Sequence, residues 1–437
     1  MRVKTSSWVV AVSMGYGHQR TAYPLRDLAD SEEILNINDY PGMPAHERNL
    51  WKRSRRGYEF ISRTEQIPLI GKFIFAIFDF FQSIPRFYPK RLHLRPTLQL
   101  RQTLSLIRRG WGEHFIHMIS RTPKPLVTTF FTPAYMAEAF NYPGQIFCIV
   151  CDADISRTWV PEHPTETRIH YFAPTAHVAD RLMQYGLPKE RITITGYPLP
   201  KENLGSKKYE IARHDLANRI ANLDPERIYR KQYGKLVTEW AGTVPATSDH
   251  PLTLLFSLGG AGAQMDIVQK ALRSLRVLLL NHTLRFIIAA GTRGDTKFKL
   301  SKILIAESLA EQVEIISDTD TMRYFQKFNT ALRTTDILWT KPSELSFYAG
   351  LGIPILIAPP LGSHEELNKE WLLKIGAGIP QDDPQFIDEW LFDYVKAGNF
   401  AEAAIEGFIE IEKGGTFAIE RIVEDRKHAA HYAYQSP

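Results

Sequence analysis

The chain has 437 residues, of which 44% are hydrophobic and 23% charged, and its formal net charge is +5. This composition excludes a disordered or fibrous protein, and the length predicts two or three domains. The first residues lack the long apolar run of a signal peptide, and two cysteines imply no disulfide framework. We therefore expect a cytoplasmic protein.

The first half alternates apolar strands with helical segments, which predicts a parallel, doubly wound sheet. A strand at 8–13 runs directly into Gly15-Tyr16-Gly17-His18, and a further strand is predicted at 126–131. In open α/β sheets, ligands bind beyond the carboxyl ends of the strands. Gly15 and Gly17 would let a ligand approach the backbone there, with His18 aimed into the crevice; an ordinary tight turn is the alternative.

The strand predicted at 145–151 contains both cysteines and is followed by Asp152 and Trp159. A buried strand is favoured over a redox Cys-x-x-C motif, because that motif opens a helix in thioredoxin-like folds. A carboxylate at the carboxyl end of a strand suits hydroxyl binding or proton transfer. The alternative is that Asp152 caps the next turn.

Residues 48–124 are strongly basic, with sixteen Lys or Arg against four acids. They contain an apolar, aromatic run at 67–81, which is too short to span a bilayer. Two interpretations stay open: a buried helical hairpin with a solvated basic face, or a segment lying on an anionic membrane surface. Nucleic-acid binding is not favoured, because no recognised motif accompanies the charge.

The second half restarts after a mixed-charge segment at 201–250, which is predicted to be a linker or an insertion. The strand at 252–257 is followed by Gly259, Gly260 and Gly262, a pattern similar to a pyrophosphate cradle; a P-loop is excluded because no Gly-Lys-Ser/Thr follows. Arg293 follows the next predicted strand, where it is either a phosphate ligand or a solvated loop residue.

Polar residues also follow the last two predicted strands. They are Lys341, Ser343 and Glu344 after the strand at 337–339, and His364, Glu365 and Asn368 after the strand at 354–358. Hydroxyl groups of ribose or of a sugar are their natural partners, although ordinary chemistry at a helix start is the alternative. No spacing of residues is typical of a metal site, so we predict no metal.

The order and spacing of the motifs resemble a known family. The residues that carry the likeness are Gly15-Tyr16-Gly17-His18, Asp152, Trp159, Tyr171–Thr175, Gly186–Pro188, Thr195–Pro198, Asp336, Thr340–Pro342, Gly352–Pro354, Glu365, Asn368 and Gly376–Gly378. The pattern is similar to that of monogalactosyldiacylglycerol synthases, processive diacylglycerol glucosyltransferases and the lipid-linked GlcNAc transferase. The likeness spans most of the chain outside residues 201–250.

The resemblance implies a GT-B glycosyltransferase with two Rossmann-like domains facing a central cleft. The expected boundaries are an acceptor domain at 1–200 with the basic insertion 48–124, the linker 201–250, a nucleotide-sugar domain at 251–385 and C-terminal helices at 386–437. The implied reaction is an inverting, metal-independent transfer of a hexose from a UDP-sugar to a lipid or lipid-linked acceptor. The donor is a substrate, no cofactor is needed, and the protein is peripheral to the inner face of an anionic cell membrane.

The resemblance also assigns roles to residues. His18 and Asp152 are the expected catalytic residues, and Gly15, Gly17 and Trp159 are expected to bind the acceptor. The expected donor-binding residues are Gly259, Gly260, Gly262, Arg293, Lys341, Ser343, Glu344, His364, Glu365 and Asn368.

The sequence departs from the family pattern at two positions. Phe347 stands where a ribose-binding Glu is usual, with Glu344 one turn earlier, and His364 stands where Gln is usual. Two alternatives therefore stay open: a UDP-sugar 2-epimerase, which shares the fold, or a nucleotide-sugar-binding protein without turnover.

Overall fold

The computed structural model describes residues 6–52, 84–259, 264–360 and 362–425. Contacts divide the chain into two compact units. Unit 1 comprises the residues up to Pro198, Gly362–His364 and the residues from Gly414 onward, whereas unit 2 comprises Leu199–Leu361 and Glu365–Lys413. Each unit is built around its own sheet.

The sheet of unit 1 has six parallel strands in the order β2-β1-β3-β4-β5-β6. The strands are β1 (Trp8–Ala11), β2 (Leu35–Asn36), β3 (Leu126–Thr128), β4 (Ile146–Ile149), β5 (Ile169–Ala173) and β6 (Ile192–Ile194). The α-helices of this unit are α1 (Gly17–Ala22), α2 (Leu98–Arg108), α3 (Glu113–Ser120), α4 (Phe131–Ala139) and α5 (Ala176–Gln184). Residues 45–52 are also helical, and 3-10 turns lie at Tyr23–Leu28, Asp30–Glu32, Arg157–Trp159 and Lys189–Arg191.

The sheet of unit 2 is also parallel, in the order β12-β11-β10-β7-β8-β9. Its strands are β7 (Thr253–Ser257), β8 (Arg285–Gly291), β9 (Val313–Ser317), β10 (Ile337–Thr340), β11 (Ile355–Ile357) and β12 (Gly378–Pro380). Its helices are α6 (Lys201–Leu204), α7 (Glu210–Leu223), α8 (Ile228–Ala241), α9 (Met265–Ser274), α10 (Arg276–Leu280), α11 (Gly294–Ala306), α12 (Thr321–Leu332), α13 (Ser363–Lys374, whose first two residues are counted with unit 1), α14 (Ile387–Ala397) and α15 (Asn399–Glu410), with 3-10 turns at Glu344–Leu351 and Pro384–Phe386.

The predicted α/β class is confirmed: two parallel sheets wound with helices give the chain a GT-B-like architecture. The inner strands are continuous apolar runs because both of their faces are buried. One predicted strand is too long, since β3 ends at Thr128 rather than at Phe131. The Thr128 hydroxyl bonds both the N–H and the carbonyl of Phe130, which turns the chain into α4.

The last described helix, α16 (Gly415–Glu424), completes the core of unit 1. Its Ile419, Ile422 and Val423 are buried in one cluster with Val9 of β1 and residues of β3, β4 and β5. A Cβ at Gly415 would lie 2.4 Å from the Tyr197 carbonyl oxygen, so only glycine fits this close approach. The end of the described chain is therefore an integral part of the N-terminal sheet unit.

Residues 201–250 form the helices α6, α7 and α8, which belong to unit 2. The buried side chain of Arg219 in α7 joins them to the rest of the unit. Its guanidinium donates to the carbonyls of Leu332, Thr335, Leu351 and Gly352, at 2.7 to 3.3 Å. One side chain thus satisfies carbonyls at the end of α12, before β10 and before β11.

We expect Arg219→Ala to destabilise unit 2 by about 3 kcal/mol or more, because four buried carbonyls lose their donor. Urea unfolding monitored by tryptophan fluorescence would measure the loss. The matched control is Arg213→Ala on the same helix, because Arg213 is partly exposed and donates to a single carbonyl, that of Glu239. Equal effects of the two substitutions would contradict a structural role for the Arg219 bonds.

A cluster of charged groups lies at the amino ends of β7 and β10. Asp336, which directly precedes β10, is fully buried and accepts hydrogen bonds from the Thr253 N–H, from Asn222 and from His250. Burial raises the pKa of Asp336 above its ordinary value. Burial lowers the pKa of His250, but its hydrogen bonds to Asp336 and Asp249 raise it on balance.

The raised pKa of His250 makes the stability of unit 2 depend on pH. A histidine with a raised folded pKa contributes stability that is complete below its ordinary value of 6.5 and is lost as the pH rises through the folded value. We therefore expect the melting temperature to fall over this interval, and His250→Gln to flatten the profile. His163→Gln, at an exposed histidine, is the control; an unchanged slope in His250→Gln would refute the assignment.

Candidate functional site

The first candidate site lies where the winding of the unit 1 sheet changes direction. β2 lies on one side of β1, and β3 to β6 lie on the other. Such a switch point opens a crevice beyond the carboxyl ends of the strands. His18 follows β1, Thr129 follows β3 and Cys151 follows β4, and the structure brings the three together: His18 Nδ1 lies 2.8 Å from the Thr129 carbonyl oxygen and 3.4 Å from Cys151 Sγ.

The contact with Thr129 determines which nitrogen of His18 carries the proton. A carbonyl oxygen only accepts, so Nδ1 must be the protonated nitrogen and must donate to it. In the neutral ring, Nε2 is then the unprotonated nitrogen. The Thr129 hydroxyl donates in turn to the His18 carbonyl at 2.9 Å, so backbone and side chain hold the two residues together. This arrangement gives His18 the tautomer that a general base with Nε2 as acceptor requires.

Aromatic side chains surround His18. The rings of Phe130 and Trp159 have centroids 4.6 and 6.4 Å from the His18 imidazole, and Phe131 lies 5.4 Å from Trp159. The sequence analysis singled out Trp159 but missed Phe130, Phe131 and the supporting residues Thr129 and Cys151. Position was the available signal, because Thr129, Phe130 and Cys151 lie within two residues of the carboxyl ends of β3 and β4. The aromatic wall formed by Phe130, Phe131 and Trp159 can pack against an apolar or ring-shaped ligand.

The two aspartates after β4 differ in their surroundings. Asp154 is buried and accepts two hydrogen bonds from Arg181, at 2.8 and 2.7 Å, and one from His177 at 2.9 Å. Burial alone would raise the pKa of Asp154, but Arg181 and His177 lower it on balance. Asp152 is only partly buried, and its Oδ2 lies 3.9 Å from Cys151 Sγ. Asp154 is therefore committed to structure, whereas Asp152 lies beside the His18 cluster.

The glycines of the N-terminal motif have different roles. Gly15 has φ of +99°, which favours glycine, although a Cβ there would meet no atom within 4 Å. Gly17 is the first residue of α1, a helix of only six residues that carries His18 into the crevice. The motif therefore positions His18 through its backbone conformation.

The second candidate site lies at the equivalent point of unit 2, where β7 is flanked by β8 on one side and by β10 on the other. Gly259 follows β7 and Lys341 follows β10. A Cβ at Gly259 would lie 3.2 Å from Lys341 Cε, so the glycine leaves room for the lysine to lie across the loop. The switch point of this sheet therefore brings a cation next to the backbone of a glycine, a combination suited to phosphate.

The partner of Lys341 is a carboxylate. Its Nζ forms an ion pair with Glu365 of α13, and both side chains are partly buried. Asn368, one turn further along α13, is buried and donates to the Pro342 carbonyl at 3.4 Å. Three residues that the sequence predicted to act together, Lys341, Glu365 and Asn368, are thus assembled around the end of β10.

The remaining predicted donor residues are less closely gathered. Ser343 and Glu344 lie at the start of the 3-10 turn after Lys341, and Phe347 is buried against Trp371. Arg293 follows β8 and is 40% exposed, with Asp295 3.9 Å away. His364 lies in the first turn of α13, and Gly260 and Gly262 lie outside the described residues. Asp336, by contrast, lies at the amino end of β10, on the side of the sheet opposite to Lys341. Its carboxylate accepts from the Thr253 N–H and supports the fold.

The described residues contain neither a metal-binding cluster nor a membrane-spanning helix. Within residues 6–52, 84–259, 264–360 and 362–425, no group of three or more His, Cys, Asp or Glu is arranged to hold a metal ion. In the same part of the chain, no helix has the length and apolar character needed to cross a bilayer.

Comparison with known sequences gives two matches. Residues 295–380 match a family model described as a domain of unknown function (DUF6938). Over 274 residues, the chain is 21% identical to the processive diacylglycerol beta-glucosyltransferase of Staphylococcus saprophyticus, covering 61% of this chain and 58% of the relative. The chain thus spans somewhat more than half the length of this curated relative. Over part of its length, the chain is thus similar to a glycosyltransferase.

Two solved structures align with nearly the whole chain. The Staphylococcus aureus MnaA–UDP co-structure matches with 13% identity and a TM-score of 0.48, covering 99% of both chains. Acinetobacter baumannii MurG matches with 12% identity and a TM-score of 0.48, covering 96% of this chain and 99% of that one.

The tautomer of His18 can be observed directly. In protein labelled with ¹⁵N-histidine, at a pH where the ring is neutral, we expect His18 to show a protonated Nδ1 and an unprotonated Nε2. His177 is an internal control with a protonated Nε2, because that nitrogen bonds the Asp154 carboxylate. His18→Gln assigns the signals, and a protonated Nε2 on His18 would remove the basis for its role as a base.

Proposed function

We propose that the protein transfers a hexose from a UDP-sugar to a hydroxyl group of a lipid or lipid-linked acceptor. The observation that carries the proposal is the position of Lys341 across Gly259 at the switch point of unit 2. The distant similarity to a diacylglycerol glucosyltransferase supports the lipid acceptor. The donor would bind unit 2, and the acceptor would bind unit 1.

Lys341 and Glu365 provide the chemistry for the donor. Without ligand they neutralise each other. A diphosphate carries more negative charge than one carboxylate, so it competes for the lysine and forms charge-assisted bonds with it. Glu365 would then accept hydrogen bonds from sugar hydroxyls. Asn368 lies one turn after Glu365 in α13 and donates a hydrogen bond to the Pro342 carbonyl. It would supply a second polar group to the donor.

His18 provides the chemistry for the acceptor. Its Nε2 would remove the proton of the acceptor hydroxyl, whose oxygen would attack the anomeric carbon of the donor. The bond between that carbon and the diphosphate oxygen would break, and UDP would leave with the bonding electrons, its charge stabilised by Lys341. Attack from the face opposite the leaving group inverts the anomeric carbon. Asp152 would act with His18, and Trp159 and Phe130 would pack against the acceptor.

Lys341→Ala should weaken UDP binding by roughly tenfold to a hundredfold, because a charge-assisted bond to phosphate is lost. Isothermal titration calorimetry with UDP measures the effect. The matched control is Lys369→Ala, which removes a lysine paired with Glu366 on α13 itself. If the two variants bind UDP equally well, Lys341 does not hold the diphosphate.

His18→Ala separates binding from turnover. Removal of a general base is expected to lower the transfer rate by about a hundredfold or more while UDP affinity is kept. The assay is UDP release with a panel of UDP-hexoses and lipid extracts. Conversion of UDP-sugar to an epimer without acceptor, seen by NMR, would instead establish an epimerase. UDP binding without any product would establish the non-catalytic alternative.

A further inference from the structure

A short segment on the surface of unit 1 exposes an unusual set of side chains. We call residues 86–98 the basic–apolar strip; it ends where α2 begins. The exposed fractions of its large apolar residues are 69% for Tyr88, 68% for Leu92, 50% for Leu94 and 57% for Leu98. Four such residues within eleven positions are more than the scattered apolar groups found on most surfaces, and they indicate a binding surface.

The charge of the strip has one sign. Arg86, Lys90, Arg91 and Arg95 alternate with the apolar residues and are exposed. No acidic residue occurs in the sequence between positions 84 and 112. Within the strip itself, apolar side chains thus alternate with basic ones, and the sequence of the strip contains no acid.

The backbone of the strip is held against α5. The His93 N–H donates to the Gln184 carbonyl at 2.8 Å, and the Gln184 side chain donates to the Phe87 carbonyl at 3.3 Å. Buried Arg157 donates to the Leu94 carbonyl at 3.1 Å. These bonds use main-chain groups and leave the exposed apolar side chains of the strip facing outward.

The aromatic ring at the start of the strip is held by the buried Asp154 cluster. Phe87 stacks on His177, with ring centroids 4.1 Å apart and an interplanar angle of 26°, and the Arg181 guanidinium lies 5.0 Å from the centre of the Phe87 ring. Both basic groups bond Asp154. Lys90 pairs with Asp180 of α5 at 2.8 Å. The strip is thus a preformed surface rather than one that must order on binding.

We infer that the basic–apolar strip is the surface by which unit 1 contacts an anionic lipid bilayer. Tyr and Leu side chains enter the headgroup and upper acyl region, while Arg and Lys extend to lipid phosphates. Each basic residue near an anionic membrane surface contributes to the free energy of binding. A preformed surface also avoids the entropic cost of becoming ordered on binding. The biological role rests on the proposed function, since a lipid acceptor would be met there. Vesicle binding itself requires neither donor nor turnover.

The test is cosedimentation of the full chain with vesicles of phosphatidylcholine alone or mixed with phosphatidylglycerol. We expect binding to the anionic vesicles only. The double variants Tyr88→Asp with Leu92→Asp, and Arg91→Glu with Arg95→Glu, should each weaken the partition coefficient by about tenfold or more. The control is Phe298→Asp with Ile305→Asp on α11, two residues that are 61% and 68% exposed.

Several outcomes would overturn the inference. They are no binding of the wild type to anionic vesicles, unchanged binding of the strip variants, or an equal loss in the α11 control. A wild type that dimerises without lipid and becomes monomeric in the Tyr88→Asp, Leu92→Asp variant would assign the strip to self-association instead. UDP titration of each variant keeps the two proposals apart: UDP binding without vesicle binding refutes the strip alone, and vesicle binding without UDP binding refutes the donor site alone.

Discussion

Both sheets are constrained by the right-handed crossover that joins parallel strands. In each unit the chain winds in one direction from its first strand, β1 in unit 1 and β7 in unit 2, and then returns to that strand and winds in the other direction. Where the direction changes, the loops that follow two neighbouring strands run to opposite faces of the sheet. This leaves an open crevice at the carboxyl ends of those strands. His18 and Thr129 occupy one crevice, and Gly259 and Lys341 occupy the other. The chemistry of both candidate sites follows from that topology.

Buried guanidinium groups hold the segments that lie outside the sheets. Arg219 and Arg157 have main-chain carbonyls as acceptors, whereas Arg181 bonds a carboxylate. The planar guanidinium offers five donors in a fixed geometry, so a single residue can satisfy carbonyls from several loops. In unit 2 this fixes the helices of residues 201–250, and in unit 1 it fixes the basic–apolar strip. Connections that look like insertions in the sequence thereby become parts of the folded units.

The His18 site differs from a catalytic triad in the group that orients the imidazole. A backbone carbonyl, rather than a carboxylate, accepts the hydrogen bond from Nδ1 and so determines the tautomer and the direction of the ring. The rings of Phe130 and Trp159 lie close to the imidazole, with centroids 4.6 and 6.4 Å from it. In unit 2 the charge of Lys341 is balanced by its ion pair with Glu365. In both sites, a side chain that the sequence singled out is thus held by a defined neighbouring group.

The sequence alone determined the α/β class, the position of most strands and the residues that follow them, because buried parallel strands are short apolar runs bounded by glycine and polar residues. It therefore singled out His18, Lys341, Glu365 and Asn368. The tertiary structure decided which of the strand ends are neighbours, since strand order depends on crossovers that leave no local pattern. It placed Thr129 and Cys151 beside His18 and separated Asp154 from Asp152 by burial. It also packed α16 against the first sheet, because the apolar residues of α16 share one buried core with β1, β3, β4 and β5, which are far away in sequence.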